Sequence, residues 1–317
     1  MKPRVGFVGL GNVGGKLAGS LLRNGYELVV NDLDRRRVEE FCSRGAVSAR
    51  SPGELVEACD IAITCLPNPA ASASVLEAGN GLLSGMGKGK IWCEMSTTDE
   101  AEVTRLGGLV EAAGGRAVDC PVSGGCHRAA TGNISIFAGC DRKTFEQVLP
   151  VLTSMGRRIL HVGQLGSASI LKVLTNYLAT ANLLSLCEAL ATARGQGLDL
   201  RTTYEAIRIS SGNSFVHETE SQVILNGSRD ISFTLDLVVK DLGLFQDIAD
   251  RTGAPLELSP LMLKIFRDAE SRFGGREWSP NVIRRLEEAM GVEVRADGFP
   301  PEITDDEPES PGYEVMV

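Results

Sequence analysis

The chain has 317 residues, a length that predicts about two domains. It carries 32 basic and 41 acidic residues, a formal net charge of −9, which argues against a nucleic-acid-binding protein because such a protein needs a basic surface. We find neither a signal peptide nor an uninterrupted apolar run of membrane length. We therefore expect a cytoplasmic protein with no nucleic-acid partner and no membrane partner.

The eight cysteines include no Cys-x-x-Cys pair, so we expect reduced thiols and not a disulfide framework. The three histidines, His127, His161 and His217, do not have the spacing of metal ligands, and we predict no metal site. Glycine is abundant, with 36 residues, which indicates tight turns or close approaches of the backbone to a ligand.

Short apolar runs alternate with amphipathic segments of helical length in the first half of the chain. The predicted strands are 4–8, 28–31, 61–66, 91–93 and 117–119. The predicted helices lie near 12–24, 35–44, 53–59, 70–78 and 99–113. Strands at 133–138 and 158–162 would extend the sheet on either side of a helix at 141–154. This alternation is typical of a doubly wound parallel sheet with right-handed crossovers.

After Gly166 the strand signals stop, and the sequence has a helical pattern to about residue 290. We predict a dinucleotide-binding domain at 1–164, an all-helical domain at 165–291 and a tail at 292–317. The tail has eight acidic residues, one basic residue and four prolines, a composition that predicts poor order.

Residues 167–193 form the most apolar segment of the chain, with Lys172 and Glu188 as the formally charged residues. As a helix the segment would be about 40 Å long. It is apolar or small nearly all round, which indicates a helix buried within the protein or at a subunit interface. A membrane span is the rival interpretation, but polar side chains such as Asn176 and Asn182 oppose it.

The sequence Gly9-Leu10-Gly11-Asn12-Val13-Gly14 fits the pattern G-x-G-x-x-G between a predicted strand and a predicted helix. In this context the glycines allow a tight turn, approach to a pyrophosphate and close packing of helix on strand. Asp32 ends the second strand, where a carboxylate accepts hydrogen bonds from the adenosine ribose and repels a 2′-phosphate. We predict NAD in preference to NADP, although Arg35–Arg37 could host a phosphate. A glycine turn without a ligand is the plainer alternative.

Two further features carry candidate chemistry. The amides of Ser123, Gly124 and Gly125 follow a strand and could form an anion-binding nest, or merely a turn. Lys172 lies in the most apolar segment, where burial disfavours its charged form and suits proton exchange, with Asn176 one helical turn further on. The alternative for Lys172 is a side chain that extends to solvent near the start of the helix.

In combination, these motifs resemble the β-hydroxyacid dehydrogenases, the family of 3-hydroxyisobutyrate dehydrogenase and tartronate semialdehyde reductase. The resemblance covers roughly residues 4–290. The matching segments are the GLGNVG turn, Cys65-Leu66-Pro67, Met95-Ser96-Thr97, Asp119–Gly125 with Gly132, Gly166 through Lys172 to Asn176, and Val239–Gly243.

The resemblance implies a Rossmann-type doubly wound parallel sheet followed by an all-α second domain whose long helix forms a homodimer or homotetramer interface. It implies that Leu66, Pro67 and Thr97 line the nicotinamide half of NAD and that Lys240 closes over the cofactor. Other roles it implies are pyrophosphate and ribose binding by Gly9–Gly14 and Asp32, substrate binding by Ser123–Gly125 and Asn176, and proton transfer by Lys172.

The activity implied is NAD-dependent interconversion of a short 3-hydroxy acid, similar to 3-hydroxyisobutyrate, and its semialdehyde or keto acid. Two alternatives stay open, a non-catalytic NAD-binding interaction module and an imine reductase. His127 and Arg128 depart from the family pattern. They could add a second anion contact, for a dicarboxylate or phosphorylated substrate, but a solvated loop is the favoured interpretation.

Overall fold

The computed structural model describes residues 2–317, which divide into two compact units. The first unit extends to Lys172 and also contains Asp305–Val317, and the second unit is Val173–Thr304. The predicted boundary at residue 164 lies at the end of the sheet, whereas the division in the structure falls eight residues later, inside a long helix.

The first unit is built on a sheet with ten strands in the described residues. The strands are β1 Val5–Val8, β2 Leu28–Asn31, β3 Val47–Ser48, β4 Ile61–Thr64, β5 Ile91–Glu94, β6 Arg116–Asp119, β7 Val122–Ser123, β8 Ser135–Gly139, β9 Arg158–Gly163 and β10 Tyr313–Glu314. Their order is β10-β9-β8-β6-β5-β4-β1-β2-β3, with β7 paired to β8. The strands from β3 to β6 are parallel in the order 3-2-1-4-5-6, which is that of a Rossmann fold, and β8 joins β6 in the antiparallel sense.

Helices cover both faces of this sheet, so its central strands are buried on both sides and their sequences are almost continuously apolar. They are α1 Gly14–Arg23, α2 Arg35–Ser43, α3 Pro52–Glu57, α4 Pro69–Glu77, α5 Leu82–Gly85, α6 Glu100–Ala112, α7 Gly125–Thr131 and α8 Arg142–Leu152. Several begin at a polar side chain that accepts a backbone N–H, as Asp99 and Asp141 do. The doubly wound architecture predicted from the alternating pattern is therefore confirmed. The short elements β3, β7, α5 and α7 were not predicted.

The second unit is helical. Its helices are α9 Ser167–Gly195, which starts in the first unit, α10 Leu200–Arg208, α11 Phe215–Asn226, α12 Leu235–Thr252, α13 Leu258–Phe273, a short 3-10 helix Ser279–Ile283, and α14 Arg284–Met290. A single apolar core, which includes the fully buried Leu190, Ile224 and Phe266, joins them. The predicted all-α second domain is confirmed.

The helix α9 has an open face, which is solvent-exposed within the chain, so of the two interpretations of its sequence it is not a helix buried on all sides within the protein. Leu174 and Leu178 are 36% and 59% exposed, and Asn182, Ser185 and Ala189 continue the stripe at helical spacing. By length and composition α9 is the one helix in residues 2–317 that could cross a membrane. The polar side chains on the open face speak against contact with lipid.

The C-terminal segment, residues 305–317, belongs to the first unit and forms specific contacts there, although the composition of 292–317 predicts a poorly ordered tail. Asn133 Nδ2 donates to Asp305 Oδ2 at 2.8 Å and to the Glu307 carbonyl at 2.7 Å. β10 pairs in parallel with β9, and Arg142 forms an ion pair with Glu314. The composition misleads because the carboxylates of Asp305 and Glu314 find partners in distant parts of the chain, Asn133 before β8 and Arg142 at the start of α8.

Gly312 provides a test of this docking. A Cβ atom at this position would lie 2.0 Å from the carbonyl oxygen of Gly156 and 2.8 Å from that of Thr153, so the backbone must separate to admit it. We expect Gly312→Ala to release β10, to lower the free energy of unfolding by about 1–3 kcal/mol and to speed hydrogen exchange at Val315. Gly87→Ala is the matched control, since a Cβ there meets nothing within 4 Å. Equal exchange at Val315 in the two variants would contradict the docking.

Candidate active site

The glycine turn, Gly9–Gly14, connects β1 to α1 in a conformation that depends on its glycines. Gly9 has φ +96°, and a Cβ there would lie 2.3 Å from the Cys65 carbonyl oxygen. A Cβ on Gly14 would lie 2.0 Å from the Gly9 carbonyl oxygen. At Gly11, by contrast, the nearest atom is Arg37 Nη1 at 3.4 Å, which leaves the surface of the turn open. The turn therefore fits the pyrophosphate of a dinucleotide at the start of α1.

Asp32 lies directly beside this turn. Its carboxylate accepts the Leu10 N–H at 2.5 Å and the Asp34 N–H at 2.7 Å, which fixes its orientation. Arg37 donates to the Leu10 carbonyl at 2.9 Å and pairs with Asp34 at 3.5 Å. Of the three neighbouring arginines, Arg37 is therefore the one whose guanidinium is placed against the turn, and Arg35 and Arg36 are exposed.

A cavity of about 380 Å³ opens between α1 and α2 next to the turn. Gly11 and Asn12 line the end nearest the turn, and a carboxylate, Glu40, lies further along. The cationic side chains that line the cavity are Lys16, Arg23, Arg37 and Arg44. This positive charge adds to that of the helix N-terminus and makes the surroundings of the turn favourable for an anionic group.

The ends of β4 and β5 bring the predicted nicotinamide-lining residues into neighbouring loops. The N–H of Leu66, after β4, donates to Ser96 Oγ, after β5, at 2.7 Å. Pro67 next to it is exposed and Thr97 is half-buried. Leu66 and Pro67 after β4 and Thr97 after β5 are thus at one edge of the sheet, where β4 is the neighbour of β1.

Two fully buried carboxyl groups end β5 and β6. Glu94 and Asp119 are Cα partners in the parallel register, and both are 0% exposed. Glu94 Oε1 accepts the Ser96 N–H at 2.9 Å and the Ser96 hydroxyl. Burial raises the pKa of Glu94 above its usual range. Burial, with a contribution from Glu94, raises the pKa of Asp119 to about 7, although hydrogen bonds from Ser169 oppose the rise.

The serine–glycine turn, Ser123–Gly125, leads from β7 into α7. Ser123 is half-buried and pairs with Ser135 of β8, and Gly124 and Gly125 have φ of +129° and +87°. Such backbone is accessible to glycine and rarely to other residues. The conformation of the turn therefore depends on its two glycines, and the turn directly follows β7.

His127 and Arg128 belong to α7 and are half-buried, which corrects the interpretation of a solvated loop. The imidazole of His127 lies where a Cβ of Gly125 would approach it to 2.8 Å, and the Arg128 Cδ would be 3.3 Å from a Cβ of Gly124. Burial, and secondarily the charge of Arg128, lowers the pKa of His127.

Lys172 is the predicted proton-transfer residue, and its side chain is buried, with 8% of the residue exposed. It lies on the second turn of α9. One turn before it, the Ser169 N–H and hydroxyl donate to Asp119 at 2.7 and 2.8 Å. The alternative of a lysine that extends to solvent does not describe this side chain.

In the second unit, Asp241 brings together the two predicted site residues found there. Asn176 Nδ2 donates to Asp241 Oδ2 at 2.5 Å, and the Lys240 amine lies 2.9 Å from Asp241 Oδ1. Asp241 is 3% exposed, so its charge is largely shielded from water. It accordingly fixes the side chains of both neighbours.

Sequence reasoning assigned no role to the groups that hold the site, namely Glu94, Ser96, Ser169 and Asp241. A signal was present for Glu94, because a carboxyl group directly after an apolar strand must find buried partners. The serines carried no such signal, since their partners are distant in the sequence.

Comparison with known proteins places the chain in a family. Residues 4–163 match the model of the NAD-binding domain of 6-phosphogluconate dehydrogenase. Residues 166–286 match the model described as the NAD-binding domain of NADP-dependent 3-hydroxyisobutyrate dehydrogenase.

Named relatives agree with these models. The chain is 32% identical to 2-(hydroxymethyl)glutarate dehydrogenase of Eubacterium barkeri, over 92% of this chain and 97% of that protein. It is 31% identical to the mitochondrial 3-hydroxyisobutyrate dehydrogenase of Rattus norvegicus, over 90% and 88% of the two chains. The crystal structure of 3-hydroxyisobutyrate dehydrogenase from Salmonella typhimurium superposes with a TM-score of 0.83 at 29% identity, over 90% of this chain and all of that one. The chain belongs to the β-hydroxyacid dehydrogenase family.

Proposed function

We propose that the protein is an NAD-dependent oxidoreductase that interconverts a short 3-hydroxy acid, similar to 3-hydroxyisobutyrate, and its semialdehyde or keto acid. The observation that carries this proposal is the buried Lys172 of α9. The first turn of this helix is hydrogen-bonded to Asp119 at the end of β6, and the serine–glycine turn follows Asp119 in the chain. Family membership and the named activities of the relatives support the class of reaction.

In the oxidative direction, the neutral amine of Lys172 accepts the hydroxyl proton of the substrate as the carbinol carbon becomes a carbonyl carbon. The cofactor held by the glycine turn would supply the redox chemistry, taking up the hydride of this carbon as NAD and returning it as NADH in the opposite direction. In the reductive direction the ammonium returns the proton to the carbonyl oxygen and stabilises its developing negative charge. Because the amine is shielded from water, its interaction with that charge is strengthened.

The remaining residues bind and orient. We assign the substrate carboxylate and neighbouring oxygens to Ser123, Gly124, Gly125 and Asn176. Holding the acid group in a defined place converts binding energy into orientation of the reacting carbon. For the cofactor, we assign the residues Gly9, Leu10, Gly11, Asn12, Val13, Gly14, Asp32, Leu66, Pro67, Thr97 and Lys240.

The two alternatives are less well supported by the residues present. A non-catalytic NAD-binding module has no need of a lysine buried in an apolar helix. An imine reductase would have another residue at the lysine position. Lys172 together with the Pro121–Gly125 sequence therefore favours the hydroxyacid dehydrogenase.

Substitution of Lys172 tests the proposed chemistry. We expect Lys172→Ala to lower kcat by about 10²–10⁴-fold, the loss typical of a general acid or base, while NAD affinity is retained. Lys172→Arg keeps a cation that does not release its proton and should be equally impaired. NADH absorbance is followed with 3-hydroxyisobutyrate, 3-hydroxypropionate, glycerate and 2-(hydroxymethyl)glutarate.

The control is Lys264→Ala, which removes an exposed lysine of α13 and should leave the rate unchanged. If Lys172→Ala retains more than about a tenth of the activity, the assigned role is wrong. If the unaltered protein oxidises none of the hydroxy acids, the proposed function itself fails.

Asp32 predicts which dinucleotide is used. Its carboxylate is held at the turn by two amides and would repel a 2′-phosphate. We expect kcat/KM with NAD to exceed that with NADP by at least about tenfold, and Asp32→Ser to reduce this ratio because the repulsion is removed. A preference of the unaltered protein for NADP would mean that Arg37 and its neighbours determine the choice. Arg37→Ala would then be expected to abolish that preference.

We propose further that the protein is a homodimer or homotetramer assembled through the open face of α9, and that it works in the cytoplasm with a small carboxylate-bearing substrate. Leu174 and Leu178 expose apolar surface next to one another on the helix, and burial against a second copy would remove it from water. The eight cysteines include no Cys-x-x-Cys pair, a cysteine usage that agrees with a reducing compartment.

Leu178→Asp tests the assembly. A charge in the centre of an apolar interface should shift the mass measured by light scattering toward that of the monomer. Ile209→Asp is the control, since Ile209 is 78% exposed but lies at the end of α10. The same mass for both variants and the unaltered protein would exclude this face as the interface.

A further inference from the structure

The carboxyl group of Asp119 lies between two elements of the proposed site. These are the strand that leads toward the serine–glycine turn and the first turn of α9, the helix that carries Lys172. Asp119 is the last residue of β6, and the serine–glycine turn starts four residues later with Ser123. On its other side it accepts two hydrogen bonds from Ser169, in the first turn of α9. One side chain thus connects the strand that leads to the proposed substrate contact with the helix that carries the proposed proton-transfer group.

The spacing along α9 lets Asp119 influence the position of Lys172 through Ser169. Lys172 follows Ser169 by three residues, so both side chains lie on the same side of the helix, one turn apart. Helical side chains lean toward the N-terminus of the helix, which for Lys172 is the end that Asp119 holds. A rotation or displacement of the first turn would therefore move the amine.

Burial makes the hydrogen bonds between Asp119 and Ser169 costly to lose. Asp119 and Ser169 are 0% and 1% exposed, so water does not replace a lost partner. Glu94 is buried in the adjacent register position of β5 and accepts from Ser96, whose hydroxyl in turn accepts the Leu66 N–H at 2.7 Å. Two carboxyl groups buried side by side are costly. Each of them fixes one of the loops or helices that the proposed reaction needs.

We propose that Asp119 is a positioning residue for catalysis, which holds the first turn of α9 through Ser169 and thereby places the Lys172 amine relative to the serine–glycine turn. This inference rests on the proposed function of Lys172. It assigns to Asp119 no contact with substrate or cofactor.

Asp141 is a control that shares the bonding pattern. It accepts the N–H of Thr144 at 3.0 Å and its hydroxyl at 2.5 Å at the start of α8, but this helix carries no residue of the proposed site. Asp119→Asn and Asp141→Asn each weaken the hydrogen bonds at a helix start, and they differ in burial, since Asp141 is exposed, and in what the helix carries. Ser169→Ala is a milder second variant, which removes the hydroxyl and keeps the N–H.

Kinetics provides the first measurement. We expect kcat to fall by about 10- to 100-fold in Asp119→Asn, since small displacements of a reacting group have effects of this size, and by a smaller factor in Ser169→Ala. The KM of the hydroxy acid and the affinity for NAD should change less than about threefold, because neither ligand loses a contact. Asp141→Asn should keep kcat within about twofold.

The second measurement needs no turnover. Acetic anhydride at limiting concentration acetylates exposed amines, and mass spectrometry compares Lys172 with the exposed Lys264 of the same molecule. The buried Lys172 should react slowly in the unaltered protein and in Asp141→Asn, and at least about fivefold faster in Asp119→Asn, since release of the helix start exposes the amine. Ser169→Ala provides the same reading if Asp119→Asn does not fold.

The inference is overturned if Lys172 labels at the same rate in the Asp119 and Ser169 variants as in Asp141→Asn. It is also overturned if the unaltered protein is active and kcat in Asp119→Asn equals that in Asp141→Asn. Absence of activity in the unaltered protein counts against the proposed function, and labelling then decides the positioning role alone.

Discussion

The carboxyl ends of β1, β4, β5 and β6 meet at one edge of a sheet that is buried on both faces, and the first unit depends on keeping that edge polar. A buried polar group is tolerated when it is hydrogen-bonded. Asp32 binds the Leu10 amide after β1, and Ser96 binds the Leu66 amide between β4 and β5. Asp119 does the same for the first turn of α9. The loops that the chemistry requires are therefore ordered by side chains that do not themselves react.

In the second unit one buried carboxylate, that of Asp241, likewise orients side chains of the proposed site. Asp241 is almost completely buried and holds both Asn176 and Lys240. A charge shielded from water interacts strongly with a nearby cation and with amide donors. The amide of Asn176 and the amine of Lys240 are thus oriented by a residue between them in space, although Asn176 lies 65 positions from Asp241 in the chain.

The parts of the molecule that follow from local sequence could be predicted. Alternation of apolar strands and helices predicts the doubly wound sheet, and Gly14 is required by a contact within the turn itself, with the Gly9 carbonyl oxygen. The open face of α9 could not be predicted, because the pattern of Leu174 and Leu178 is the same for a core helix and an interface helix. Nor could the place of residues 305–317, whose partners such as Asn133 and Arg142 lie in the other half of the chain. The roles of Ser96 and Ser169 were hidden for the same reason, since serine is common in turns and its partner is visible only in the fold.

The strand β10 has a consequence for the behaviour of the protein in concentrated solution. Its amides at Tyr313 and Val315 bond to the carbonyls of Arg157 and Ile159, which occupies the outer side of β9. A strand without a neighbour is a template for pairing with another chain, and proteins protect such edges to avoid aggregation. β10 follows β9 only after the whole helical unit, so the strand that covers this edge comes from a distant part of the chain. Release of β10 therefore uncovers the outer side of β9, whose unpaired groups are then open to pairing with another molecule.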